Sequence, residues 1–364
     1  MFRTTAATLF FKNDKSRGYV NPMRRWVYHW IAAGAIGMGS LYVLVQYKLA
    51  KYEAKHYGQS KGDYMCSSTF TDVLYMLPLN YTSDTLGFLS ESEYIPKAVH
   101  QWCIDFLIWW YHVNMEDSAT TQFDTAQEFY TRKWKEGARP VDDASLVSSP
   151  CDGVVTTVQD DVTNDTVVQV KGVTYRVQAL VQADPGPVPP SYKRVLFTVY
   201  MRAKDYHHVI SPFAFHTKGI AYVPGTLFPA TPAGVHWIPG LFTTNERVVV
   251  YGHVQKDAAK RNKTLKEGEI VKNPFCAVVL VGSTLTGKIR LAIDRQVRTN
   301  FLDPPDYTVF KKLPHFPLLR AGQPVGWFQW GSTVAVLVDV PVDSKVVIQV
   351  NDEIKAGQAV LTRP

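Results

Sequence analysis

The sequence predicts an α+β chain: an N-terminal transmembrane helix and interfacial helices, followed by a predominantly β domain. Three observations carry this expectation. A charge-free apolar stretch lies near the N-terminus, aromatic-rich segments follow it, and from about residue 146 short β-branched runs alternate with Gly, Pro and Asp clusters. Of the 364 residues 46% are hydrophobic and 13% aromatic, enough for one large core or two modest ones, which excludes a mainly disordered chain.

Residues 1–25 carry Arg3, Lys12, Lys15, Arg17, Arg24 and Arg25 against one acid, Asp14, with Ser and Thr between them. That is the composition of a mitochondrial presequence. Directly after it, "WVYHWIAAGAIGMGSLYVLVQY" (26–47) has no Asp, Glu, Lys or Arg. At about 1.5 Å per residue it reaches roughly 33 Å, enough to cross a bilayer as a helix. Trp26, Tyr28 and Trp30 at one end and Tyr42 and Tyr47 at the other read as interfacial belts. Ala33 with Gly37, and Ala35 with Gly39, give the small-residue spacing that lets a second helix approach closely. Basic residues flank both ends, so charge alone does not orient the span.

Residues 48–122 are expected to form a juxtamembrane linker and membrane-associated helices. Within them "VHQWCIDFLIWWYHVNM" (99–115) is too apolar for a surface helix yet is interrupted by Asp105 and His112, which puts it in the membrane interface or against the core. The β-rich domain is expected over 123–364. It opens with a helix over "FDTAQEFYTRKWKEGARPVD" (123–142), with Asp124 or Thr125 as N-cap and Gly137 and Pro140 as the stop. Strands are then expected at "GVVTTV", "DTVVQV", "VTYRVQALV", "RVLFTVYM", "RVVVYGHV", "CAVVLV", "KIRLAI", "STVAVLVDV" and "KVVIQV", with "QADPGPVPPSYK" (182–193) as a proline-rich loop.

The formal charge of +7 comes from scattered basic residues with no stripe or aromatic platform, which favours an anionic membrane surface over nucleic acid. Cys66, Cys103, Cys151 and Cys276 have no CxxC or Cys/His spacing, so no metal site is expected.

Two Gly-Ser-Thr steps stand beside strands, in "VVLVGSTLTGKI" (278–289) and "VGWFQWGSTVAVLVD" (325–339). A serine needs a base to attack anything, and neither step has one beside it. Candidate groups lie elsewhere, at Asp152 in "SSPCDGVV" (148–155) and at His207 and His208 in "MRAKDYHHVISP" (201–212). Taken alone, Asp152-Gly153 reads as a turn and the histidine pair as solvated.

Together, and in this order, the segments "VNME", "EFYTRKWKEGARPVD", "SSPCDGVV", "VQVKGVTY", "DYHHVISP", "LFTTNERVV", "GKIRLAIDR" and "GWFQWGSTV" resemble the phosphatidylserine decarboxylases that make their own pyruvoyl group. The resemblance runs from about residue 95 to the C-terminus. The N-terminal segments are similar to the mitochondrial inner-membrane branch, which implies a single-pass protein whose body faces the intermembrane space. The resemblance selects Ser332 over Ser283, because "GWFQWGSTV" fits the family's Gly-x-Phe-x-x-Gly-Ser-Thr-Val context and the upstream copy falls on a scaffold strand. It implies cleavage between Gly331 and Ser332 by attack of the serine hydroxyl on the Gly331 carbonyl, elimination of the ester, and a pyruvoyl cofactor at the new N-terminus. That group would be the electron sink for turning phosphatidylserine into phosphatidylethanolamine.

The resemblance further implies that His207 returns a proton after CO2 leaves, and that Asp152 orients the histidine that activates Ser332. That histidine is missing: relatives read Asp-Tyr-His-x-x-His-x-Pro, and the second position here is Ile210. His208 alternates to the other strand face from His207, while His216 and His236 are the remaining candidates to fold in. Trp330 replaces the usual Leu, Leu285 a usual polar residue, and "FPATPAG" (228–234) a more polar stretch; "NER" (245–247) is intact. Three outcomes stay open: a pyruvoyl lyase acting on membrane phospholipid, an uncleaved homologue serving as a subunit of a mitochondrial membrane protein complex, or a module that binds an aminophospholipid without chemistry; the expected protein partner is a second copy in a homodimer or a larger membrane protein complex.

Overall fold

The computed structural model describes residues 79–363 apart from 163–165, 169–173, 239, 256–272, 285–286, 302–304, 306, 316 and 330–331. The presequence-like segment, the stretch 26–47 expected to span the membrane, and residues 48–78 of the expected linker lie outside the described residues. Among the described residues no helix is long and apolar enough to cross a membrane.

Three helices come first: α1 (Leu79–Glu91), α2 (Lys97–Tyr111) and α3 (Ala126–Tyr130). Helix α2 starts behind Pro96 and ends at His112, whose φ of 52° turns the chain out of the helix. It buries His100 and Ile104 and turns Trp102, Phe106, Trp109 and Trp110 outward, where their rings lie 5.8–6.1 Å apart. Helix α3 is capped by the Thr125 hydroxyl, which accepts from Glu128 N–H at 3.2 Å.

Only five residues of the helix expected over 123–142 form it. The reason is competition from extended pairing: Ala119 N–H donates to Lys133 O, Lys135 N–H donates to Asp117 O, and Ser118 bridges Trp134, which fixes 133–135 as a strand-like partner of 117–119.

The β body runs β1 (Ser145–Ser148), β2 (Gly153–Gln159), β3 (Thr166–Val168), β4 (Thr174–Arg176), helix α4 (Val177–Val181), β5 (Tyr192–Tyr200), β6 (His208–Ile210) and β7 (Phe215–Val223). It continues through helices α5 (Pro232–Trp237) and α6 (Leu241–Thr244), then β8 (Arg247–Val254), β9 (Phe275–Val281), β10 (Ile289–Leu291), β11 (Val309–Lys312), β12 (Leu318–Leu319), β13 (Pro324–Phe328) and β14 (Thr333–Pro341). Short strands β15 (Lys345–Val346), β16 (Glu353–Ile354) and β17 (Ala359–Thr362) finish it. The predominantly β body expected from the sequence is what the structure shows.

Its frame is a nine-stranded antiparallel sheet ordered β11-β7-β8-β9-β14-β5-β2-β16, with β12 also on β7. Strands β9 and β14 sit in its middle and are covered on both faces, which explains why "FCAVVLV" and "TVAVLVDV" are nearly continuous apolar runs rather than alternating ones. On one face the small sheet β10-β13-β6 packs over Phe197, Val250, Val278 and Val336. On the other, helices α4, α5 and α6 cover Leu196, Val249, Val279 and Leu337. Arg194 on β5 stands opposite Asp339 on β14 and binds it at 2.7 Å with both side chains 1% exposed. A one-residue slip would strand both charges in the core, so the pair pins the register.

Two expected strands differ. "VTYRVQALV" is strand only to Arg176; Val177, Leu180 and Val181 then bury at helical spacing as α4, a case where a short apolar run fits either period. "KVVIQV" keeps only Lys345–Val346 as strand, because Val347 and Val350 face solvent and the chain is already turning toward Asn351.

Candidate active site

Sheet register brings the predicted residues together. Tyr200 on β5 pairs with Thr333 on one side and Val154 on the other, so Ser332, Met201 and Gly153 share the next rung at the same sheet end. Met201 N–H donates to Ser332 O at 2.7 Å. Asp152 precedes Gly153, and His207 closes the loop that follows Met201. All three candidates are buried, His207 and Ser332 completely.

Asp152 is held by an arginine. Arg139 Nε and Nη2 donate to its two oxygens at 2.9 and 2.7 Å, and Ala356 N–H donates to Oδ1 at 2.8 Å. Arg139 also reaches Asp117 at 2.8 Å. Burial opposes the arginine's charge, but its bonds to Asp152 and Asp117 outweigh this and push the guanidinium above its usual range.

His207 lies flat on Tyr130 of α3, ring centroids 5.4 Å apart and planes within 7°. Its Nε2 is 3.1 Å from Arg202 O, a pure acceptor, so Nε2 carries the proton and donates it. Nδ1 then presents a lone pair that has no partner among the described residues. Burial holds the imidazole neutral and lowers its pKa to about 3. Arg132 secures the same loop: it donates to Phe129 O and Lys204 O at 3.0 Å, with its guanidinium 4.4 Å over the Tyr206 ring.

The Ser332 hydroxyl donates to Val281 O, not to an imidazole. Ile210 is buried, its N–H bonded to Pro150 O at 2.8 Å, so the position where the resemblance led us to expect a histidine lies against the Asp152 turn but offers no base. Neither remaining histidine replaces it from where its backbone lies. His216 pairs with His253 and Gln255 seven residues before Val223, at the far end of β7, roughly 23 Å along the strand. His236 belongs to α5, whose Val235 packs on the opposite sheet face from Ser332. His208 bonds Thr131 O at 2.9 Å and packs beside Trp134. Ser283 accepts Ala230 N–H at 2.8 Å. Gly331, Trp330 and Leu285 lie outside the described residues.

Sequence reasoning gave no role to Arg139, Tyr130 or Glu246, although each stands in a quoted segment. Their partners are the Asp152 turn, the His207 loop, and Tyr222 with Asn300, and nothing local marks which arginine meets which aspartate.

The phosphatidylserine decarboxylase family model matches residues 126–362. The phosphatidylserine decarboxylase proenzyme of Myxococcus xanthus (strain DK1622) is 32% identical over 278 residues, 76% of this chain and 91% of that relative. The mitochondrial phosphatidylserine decarboxylase proenzymes of Rattus norvegicus and Pongo abelii are 30% and 29% identical, each across 78% of this chain and 71% of the relative. With more than half of its length under one family model and relatives of this identity along most of it, the chain belongs to the phosphatidylserine decarboxylase family.

Proposed function

We propose that the chain is a mitochondrial, membrane-bound phosphatidylserine decarboxylase acting through a pyruvoyl group made from Ser332. The observation that supports this most is convergence: Ser332, His207 and Asp152, far apart in sequence, meet buried at one end of the central sheet. The place suits such a group. Ser332 heads the central strand, its carbonyl is fixed by Met201 N–H, and the nearby His207 Nδ1 is a bare acceptor. The pyruvoyl group supplies an electron sink for loss of CO2.

The chain's own residues do the rest. Arg202 O fixes the tautomer of His207, and Tyr130 fixes its plane. An anionic head group beside Nδ1 would raise the ring's pKa toward its ordinary value, so the ring takes up a proton when substrate is present and can return it at that atom. The outward aromatic face of α2 fits the acyl–headgroup boundary of a membrane, where Trp rings settle. The mitochondrial inner membrane as location, with residues 26–47 as the single span and the body in the intermembrane space, is supported by the presequence composition and the mitochondrial relatives.

One observation favours a second reading, an uncleaved subunit of a membrane complex: the base position is Ile210, and both Asp152 oxygens are taken by Arg139. Intact-mass measurement on the purified full-length protein separates them. A fragment starting at residue 332 with a pyruvoyl terminus, and CO2 release from phosphatidylserine, support the enzyme; a chain that stays whole and inert overturns it.

A further inference from the structure

Glu246, from the Asn-Glu-Arg stretch that the chemistry above leaves unused, lies buried on the same sheet face as Ser332, and register puts it there. Arg247, Val281 and Thr333 share one rung. Arg247 and Thr333 both point to the helix-covered face, bonding Leu180 O and Ala230 O. Alternation then sends Glu246, Gly282 and Ser332, one rung on, to the opposite face. Gly282 N–H donates to Glu246 O at 2.7 Å and holds that rung together. Two strand spacings, about 10 Å, separate the backbones of Glu246 and Ser332, and the residue between them has no side chain. A Cβ on Gly282 would fall 2.9 Å from Leu227 Cδ2 and 3.0 Å from Glu246 O, so a larger residue there would have to displace the Leu227 side chain.

The Glu246 carboxylate is half used. Oε1 accepts from Tyr222 OH at 2.6 Å and from Asn300 N–H at 2.8 Å, while Oε2 has no partner among the described residues. Among the same residues neither Oδ1 nor Nδ2 of Asn300 has one, although the residue is only 5% exposed. Asn300 holds a φ of 60°, the left-handed region, in the conformation that gives its N–H to Glu246. Helix α1 closes over the cluster, its Ser83 hydroxyl accepting Gly287 N–H at 2.9 Å.

Buried polar atoms are almost always paired, and here two acceptors and one donor are not, on two residues joined by the bond from Asn300 N–H to Glu246 Oε1. A carboxylate oxygen and an amide oxygen complement an ammonium, and the amide NH2 complements a carboxylate. Burial raises the Glu246 carboxyl to about 7, from which a neighbouring ammonium would return it to the charged form.

We propose that Glu246 and Asn300 form a subsite for an amino-acid head group, the ammonium and carboxylate of phosphatidylserine, presented beside Ser332. The assignment rests on the chain handling phosphatidylserine but not on its cleaving itself.

The test is calorimetry on full-length protein carrying Ser332→Ala, which cannot form a pyruvoyl group, with dihexanoyl phosphatidylserine and dihexanoyl phosphatidylglycerol as probes. Adding Glu246→Gln should weaken the serine lipid at least tenfold and leave the glycerol lipid within twofold. Asn300→Gly, which keeps the left-handed backbone and removes the amide, should do the same through a different segment, so misfolding of one variant does not leave the matter open. Equal losses for both lipids, no loss, or no binding of the serine lipid to the parent protein overturns the assignment and leaves the unpaired atoms to ordered water. Self-cleavage and CO2 release are read separately on the wild type, so a failure of the decarboxylase reading appears there and a failure of the subsite appears only in the calorimetry.

Discussion

Arg139 grips Asp152 through two nitrogens, at 2.9 and 2.7 Å, in a pair whose side chains are 7% and 9% exposed. Removing one partner of a buried pair leaves the other charge uncompensated. Arg139→Met is therefore expected to lower stability by about 3–5 kcal/mol. Adding Asp152→Asn should recover a large part of that loss, and a double-mutant cycle on urea midpoints reads the coupling. Additive effects would mean that the pair contributes nothing specific.

Ile210→His is expected to speed cleavage at Gly331–Ser332 by about a hundredfold or more, the usual contribution of a general base. The new imidazole would lie against the Asp152 turn, since Ile210 N–H already bonds Pro150 O. A time course of intact mass checks it. An unchanged time course would mean that Arg139, by holding Asp152, or the Ser332 bond to Val281 O also blocks attack.

Glu246 and His207 should pull stability in opposite directions with pH. Burial raises Glu246 from 4.5 to about 7, so the folded state keeps a proton that the unfolded state has lost; its stabilising contribution is full below about 4.5 and is lost as pH rises through 7. Burial lowers His207 from 6.5 to about 3, so its contribution is full above 6.5 and is lost as pH falls toward 3. Between pH 4.5 and 8, Glu246→Gln should gain on the wild type by about 3 kcal/mol. His207→Gln should gain on the wild type as pH is lowered from 6.5 to 4. Urea midpoints across this range test both, and a constant gap would give the residue concerned an unshifted pKa.

The α2 aromatic face should meet lipid. A nitroxide at Trp109→Cys, with Cys66→Ser and Cys103→Ser, in full-length protein reconstituted into vesicles should be relaxed by membrane-dissolved oxygen more than by an aqueous nickel complex. The reverse order would place this face in water or against protein.

Much of the body was legible in the sequence because burial on both faces of a sheet leaves a direct trace. Runs such as "CAVVLV" and "STVAVLVDV", apolar throughout and rich in valine, suit central strands covered on both faces. The α3 region and "VTYRVQALV" depart from their sequence patterns because those patterns are short and non-local partners decide them: residues 117–119 for one, the helix-covered face of the sheet for the other.

The sequence by itself determined the predominantly β body and the family, since each depends on residue types and their order. It also showed that Ile210 stands where a base is expected. Only the tertiary structure decided that Arg139 occupies Asp152, that His207 lies neutral against Tyr130, and that Glu246 and Ser332 flank Gly282 on one face. Those facts depend on strand order and register, and register is fixed by contacts such as Arg194–Asp339 between residues far apart in the chain, which no local pattern encodes.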